Sequence, residues 1–445
     1  VDAVVLEVHG LVHDQGWLAD RALEGVLRRE RLWAAERRAA AEAVYGITRW
    51  QGQLDWLIFG PAGGAAPGAS ARAGRAASGQ AGGRTDRLAI RYAAWLARFG
   101  GLRPGEAARR LGVPTGVLAP IEGAEARIAA VADPLERLSV ETSLPRWIAG
   151  RFAAEMGLEE ATALSRSLNQ RAPLTVRANG LRGDREDLRE RLRAEGVSSE
   201  PTRLSPWGLV LDGHANAFAL AAFRDGRFEI QDEGSHLVAL ACAARPGWIA
   251  VDACAGAGGK ALALAAEMRN RGSIWALDPD EGRLDEARRR ARRAGVHNLR
   301  TRPVPSGPEA AEALRDLAGK AHLVLVDAPC SGLGTLRRKP DARWRLRPED
   351  PERFARTQRE LCARYGALVR PGGRLVYATC AIGRTENDEV ADFVERELPF
   401  APVPLAALLG EVRARAAGAL GGRLSLFPHR HGTDGFFLAA FERRR

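Results

Sequence analysis

Two short segments carry the residues best suited to covalent chemistry. Asp327-Ala-Pro-Cys330 closes the apolar run HLVLV and Thr379-Cys380 closes GRLVYA, so two thiols and a carboxylate are expected to meet at strand ends. A single cysteine usually behaves as a small buried hydrophobe. Cys242 and Cys362, set in apolar or helical text, fit that description, whereas Cys330 and Cys380 stand beside Pro and Thr where strands finish. A thiolate can add to carbon 6 of a cytosine, turning a ring too poor in electrons at carbon 5 into an enamine that accepts a methyl group there. A carboxyl group at the position of Asp327 could stabilise that adduct by protonating or hydrogen bonding ring nitrogen 3. The carbon-5 proton must then leave so that the thiol can be eliminated, which is work for a second thiol or another base. Methylation of an amino nitrogen needs no thiol and typically uses Asp/Asn-Pro-Pro-aromatic where this chain has Asp327-Ala-Pro-Cys330.

The methyl donor calls for a nucleotide-like site, and Asp252-Ala-Cys-Ala-Gly-Ala-Gly-Gly-Lys260 is the segment built for one. It follows an apolar strand and opens a helix, and its small residues let the backbone approach a ligand at the helix N-terminus. A phosphate loop is excluded, because GxxxxGK[ST] would need Gly at Cys254 and Ser or Thr at Ala261. Asp278, 26 residues after Asp252, ends the second strand and could hold a ribose hydroxyl pair of either a nicotinamide or another adenosine cofactor.

These residues require a particular scaffold. After Gly247 the chain reads strand, turn, helix repeatedly: WIAVDACAGAGGKALALAAEM, SIWALDPDEGRLDEARRRARRAG, HLVLVDAPCSG, PERFARTQRELCARYGALV, GRLVYATC. Short buried strands alternating with helices imply a doubly wound parallel α/β sheet with its ligands at the strands' carboxyl ends. A Rossmann-like domain is expected over 236–445, a small α+β module over 136–235 and an all-α domain over 1–135. Residues 60–84 are Gly, Ala, Ser or Pro at 21 of 25 positions and are expected to form a flexible insertion between two helices.

Composition narrows the class. At ~150 residues per domain, 445 residues allow two or three domains. The net charge is +11, and 63 of the 66 basic residues are arginine, which suits phosphate-rich partners equally with a GC-rich coding bias. Five cysteines with no CxxC pair argue against a disulfide framework or a structural zinc site. With no uncharged apolar run of membrane-spanning length, a cytoplasmic, monomeric protein without metal or membrane partner is expected.

The set VDACAGAGGK, ALDPDEGRL, LVDAPCSGLGTLRRKPDARWR and GGRLVYATCAIGRTENDEV, with QDEGS upstream and DGFFLAAFERR at the end, resembles the NOL/NOP/Sun family of RNA cytosine-5 methyltransferases. The match is nearest to the Sun branch, which acts on small-subunit (16S) rRNA. AERRAAAEAVYGITRWQGQLDWL resembles that branch's NusB-like RNA-binding domain, and SLPRWIAGRF with LTVRANGLRGDREDLRERLRAEGV resembles its middle RNA-binding module. The resemblance implies that Cys380 is the nucleophile, Cys330 assists product release and Asp327 contacts base and cofactor. It assigns S-adenosyl-L-methionine to Cys254, Ala255, Gly256, Ala257, Gly258, Gly259 and Lys260, with Asp278 and Asp327. DNA cytosine-5 methyltransferases instead use a Pro-Cys at the place of Pro329-Cys330, and Thr379-Cys380 is what favours the RNA type.

Three departures stand out. Ala257 and Ala261 occupy positions where the family usually has Pro and Thr, and Ala381 follows the nucleophile where Ser is usual. After the third strand, LRTRPVPSGPEA lacks the acidic residue that the family places near the adenine, Glu309 being the nearest substitute. An RNA-binding or ribosome-assembly protein with impaired cofactor binding, or a tRNA methyltransferase, is the rival expectation. Arg337, Arg338, Lys339, Arg343 and Arg345 around Trp344 read as phosphate contacts with an aromatic platform for RNA. The arginine-rich helices DEARRRARRAG and DREDLRERLRAEG read as solvated or RNA-facing.

Overall fold

The computed structural model describes residues 1–61, 84–212, 215–307 and 309–445, so most of the Gly/Ala-rich stretch expected at 60–84 lies outside the described residues. Val1–Gln170 with Leu336–Pro348 form one compact unit, and Arg171–Thr335 with Glu349–Arg445 form another. No helix among the described residues is long and apolar enough to cross a membrane.

The first unit is helical: α1 (Asp2–Gln15), α2 (Ala19–Arg29), α3 (Ala34–Phe59), α4 (Arg84–Arg98), α5 (Pro104–Leu111), α6 (Ala124–Ala129), α7 (Pro134–Thr142), α8 (Arg146–Met156) and α9 (Leu158–Ser167). Apolar residues at three- and four-residue spacing, such as Val4, Val5, Val8 and Val12 on α1 with Val44, Ile47 and Leu54 on α3, bury one stripe of each helix. Gly46 lies against Trp95, where a Cβ would come within 2.4 Å of the indole nitrogen. Asp133 starts α7 by accepting the amides of Leu135 and Glu136.

α7 to α9, beyond the boundary expected at 135, group with the helical unit. Gln53 on α3 donates to the carbonyls of Val140 and Glu141 at 3.3 and 3.0 Å, and Ser143 accepts from the Gly52 amide at 2.9 Å. Within the basic segment after Thr335, the expectation for Arg343 and Trp344 is corrected. Arg343 is fully buried, and its Nη1 donates to the carbonyls of Arg49, Thr142 and Ser143 and to Oδ1 of Asn169 at 2.9–3.4 Å. Trp344 donates to the Thr48 carbonyl at 2.6 Å and packs on Gly52. The guanidinium satisfies carbonyls left open at the end of α7, which sequence spacing does not distinguish from an RNA-facing charge.

The second unit holds two sheets. β1 (Leu174–Ala178), β2 (Ser199–Pro201), β3 (Gly208–Leu211) and β4 (Phe228–Ile230) form an antiparallel sheet in the order β2-β3-β1-β4. α10 (Arg185–Ala194) packs its Leu188 and Leu192 into that module's core, and Asp184 and Asp187 cap its start reciprocally. α11 (Glu233–Ala241) runs across the 235/236 division expected from sequence.

The larger sheet is built from β5 (Ile249–Asp252), β6 (Ser273–Asp278), β7 (Leu299–Pro303), β8 (Ala321–Asp327), β9 (Val369–Thr379), β10 (Phe400–Pro402), β11 (Arg423–Leu426) and β12 (Phe436–Arg443). Its order is β10-β12-β9-β8-β5-β6-β7, with β11 paired to β12. β5 to β9 are parallel neighbours, and β12 adds an antiparallel strand beside β9. The helices α12 (Gly259–Glu267), α13 (Glu281–Ala294), α14 (Asp350–Gly366) and α15 (Asp388–Glu397) connect these strands. Because the strand order reverses between β5 and β8, a crevice opens at their carboxyl ends. Asp252, Asp278, Asp327 and Cys380 all stand at that edge.

Candidate active site

The loop from β5 to α12 is held from both sides. Asp278 accepts the amides of Gly256 and Asp280, each at 2.9 Å, which ties the loop to the end of β6. Arg290 on α13 donates to the Ala257 carbonyl at 2.9 Å while pairing with Glu229, which also binds Arg293. This part of the arginine-rich helix supports the cofactor loop, a role that its charge pattern did not reveal. Gly258 sits at φ 79° with the Ala287 Cβ only 2.9 Å from where its own would be, so glycine is required there.

A cavity of about 290 Å³ opens beside this loop. Cys254, Asp278 and Asp327 line it together with Pro279, Val304, Leu361 and Tyr365. Ala255 to Gly259 form the turn at its edge, and Lys260 turns away from it toward the carboxylate of Asp327, with Nζ 2.5 Å from Oδ2. Burial disfavours the Lys260 charge, but Asp327 outweighs burial and holds the ammonium above its ordinary range. Burial, then the charge of Asp327, pushes Asp252 up to about 7. Burial first, then Asp252, pushes the Cys254 thiol well up, so this cysteine is a neutral wall residue. Glu309 caps the short helix after β7 and does not line the cavity.

Cys330 and Cys380 meet, with their Sγ atoms 3.4 Å apart. The hydrogen bond to Cys380, followed by burial, pushes the Cys330 thiol far above its usual range. Two neighbours brace the pair. Glu386 accepts the Ser331 amide at 2.8 Å and the Gln358 amide at 3.1 Å, and Gln358 also donates to the Pro329 carbonyl at 3.0 Å. Asn387 accepts from the Thr379 hydroxyl at 2.6 Å and donates to the Ala381 carbonyl at 3.2 Å, fixing the turn that carries Cys380. Sequence reading quoted the ENDE stretch containing Glu386 and Asn387 without giving either a role, and Gln358 carried no local signal.

A family model described as 16S rRNA methyltransferase RsmB/F matches residues 239–442, and an RsmF/B-like ferredoxin-like domain matches 144–217. The probable ribosomal RNA small subunit methyltransferase B of Bacillus subtilis (strain 168) is 35% identical over 71% of this chain and 70% of its own length. The chain belongs to the RsmB/F methyltransferase family. A second member of this RsmB/F family, from Synechocystis sp., is 28% identical over 94% of both chains. The crystal structure of PH0851 superposes with a TM-score of 0.76 at 26% identity, covering 99% of this chain and 98% of that one. The RsmB/F family uses S-adenosylmethionine, and the cavity fits it. The Asp278 carboxylate among apolar walls that include Pro279, Val304 and Leu361 suits the ribose and purine of an adenosine.

Proposed function

We propose that this RsmB/F protein methylates carbon 5 of a cytosine in small-subunit rRNA through a covalent adduct to Cys380. The observation that carries the reading is the 3.4 Å contact of Cys380 with Cys330 in the unit where Lys260 is paired to Asp327. S-adenosylmethionine supplies an electrophilic methyl group, and Cys254 to Gly259 with Asp278 are the residues that would hold it. Cys380 acts as the thiolate that adds to carbon 6 of a cytosine taken out of its stack. Asp327, with Lys260 as the adjoining proton source, hydrogen bonds and protonates ring nitrogen 3 as electrons move into the ring. After methyl transfer Cys330, as thiolate, takes the carbon-5 proton; the 5,6 double bond re-forms, the carbon–sulfur bond breaks with its electron pair returning to Cys380, and ring nitrogen 3 gives its proton back to Asp327. Thr379-Cys380 at the end of β9 favours Cys380 as nucleophile over the reversed assignment used on DNA.

Transfer of labelled methyl groups to unmodified small-subunit rRNA, followed by digestion to nucleosides, tests this reading. Wild type should yield 5-methylcytidine, and Cys380→Ala should yield none. Cys330→Ala should accumulate a protein–RNA adduct resistant to denaturing electrophoresis. Label in another nucleoside, or an adduct that survives in Cys380→Ala, would reject the assignment.

A further inference from the structure

The cavity at the strand ends is chemically asymmetric. Asp327 marks the end nearest Lys260, while Val304, Pro305 and Ser306, which follow β7, make a wall with no ionisable side chain. Asp278 lies between them at the end of β6, the position from which a carboxylate meets the ribose of an adenosine. The purine of the cofactor therefore belongs at the Val304–Ser306 end. An exocyclic amine brought out of water there needs an acceptor, because an unpaired donor forfeits affinity.

One face of α14 covers this end. Thr357, Glu360, Leu361 and Arg364 follow one another at helical spacing and all line the cavity. Arg364 donates to the Ser306 carbonyl at 3.1 Å, drawing the wall after β7 against that face. Glu360, one turn earlier, is exposed, and among the described residues no hydrogen bond or ion pair engages its carboxylate. Asp278 stands at the ribose position and Asp327 is paired with Lys260, so Glu360 is the lining carboxylate left for the base.

We infer that Glu360 accepts the 6-amino group of the cofactor's adenine and sets the base specificity of the site. The inference rests on the cavity being the S-adenosylmethionine site. It also explains how this chain manages without an acidic residue directly after β7: the acceptor comes from the helix that faces that strand end.

Calorimetric affinities of the full chain for S-adenosylhomocysteine and for S-inosylhomocysteine test the inference without any turnover. The inosine compound presents an oxygen where the adenine presents its amine, so wild type should favour the adenine compound by about 10-fold or more. Glu360→Ala should bind S-adenosylhomocysteine about 10-fold more weakly and distinguish the two by no more than ~3-fold. Glu360→Gln, whose amide can donate or accept, should keep the adenine affinity and gain affinity for the inosine compound. Alanine is favourable at an exposed helix position, so the variant retains its fold, which circular dichroism checks. Unchanged selectivity in Glu360→Ala would overturn the inference alone, whereas a wild type that binds neither compound would remove the cofactor site on which it rests.

Discussion

Asp252 is maintained by the fold against its own stability. Its carboxyl is fully buried, and burial followed by the charge of Asp327 moves it from 3.8 to about 7. A raised acid binds its proton more tightly in the folded state, so stability falls as pH rises from about 4 to about 7, and the penalty is complete above that window. Asp252→Asn should therefore be more stable than wild type at pH 8 by on the order of 4 kcal/mol, read as a higher melting temperature, with the gap closing below about pH 4. Thermal unfolding between those pH values measures it, and a gap independent of pH would discard the ionisation account. At this scale, type and position made Asp327, Cys330 and Cys380 readable, since few chemistries place two thiols and an acid at strand ends. The pairing of Lys260 with Asp327 was not readable, because it joins a loop after β5 to the end of β8, 67 residues away. Lys260, expected at the cofactor together with Asp327, is paired with that carboxylate.

Among the elements, the turns after β8 and β9 share one brace, in which Glu386 ties the Ser331 amide to Gln358 and Gln358 holds the Pro329 carbonyl. Removing the Glu386 carboxylate leaves a buried amide and a carboxamide without their acceptor. Glu386→Ala should lower the methyl-transfer rate by about 100-fold through misplacement of Cys330, with affinity for S-adenosylhomocysteine changed by less than ~3-fold because the Glu386 carboxylate does not line that cavity. Single-turnover transfer set beside calorimetry separates the two, and equal loss in both would mean a general collapse of the site. The segment around Arg343 shows where pattern reading runs out. RRKPDARWR has the composition of an RNA-facing loop, but Arg343 is buried against four oxygen acceptors, and burial lowers its pKa to about 9. Arg343→Met should destabilise the helical unit by roughly 2–4 kcal/mol in denaturant unfolding. RNA affinity measured well below the transition should stay unchanged, where a phosphate contact would have been lost.

For the whole molecule, the alternation of strands and helices was enough to read the parallel sheet, because each buried strand is short and each crossover long. The division of the chain was less readable. The helical unit takes in α7 to α9 and the distant segment Leu336–Pro348, and a chain that leaves one unit and returns gives no compositional mark. Charge belongs to this largest scale, since an excess of eleven positive charges, nearly all arginine among the basic residues, is a property of the entire surface and not of the site. If the substrate is rRNA, these arginines neutralise phosphates and release counterions on binding. For a single-stranded or looped target the affinity then falls with a log–log slope of about −0.7 per phosphate contacted. Around five such contacts would weaken binding roughly 100-fold between 50 and 200 mM salt. The same change should leave S-adenosylhomocysteine affinity nearly untouched, because the cofactor is held in a partly buried cavity by hydrogen bonds and apolar walls. Methyl transfer should accordingly show a KM for RNA that rises steeply with salt while kcat at saturating RNA holds steady. A flat KM would mean that recognition runs through shape and base contacts, and the arginine excess would then revert to a bias of coding composition.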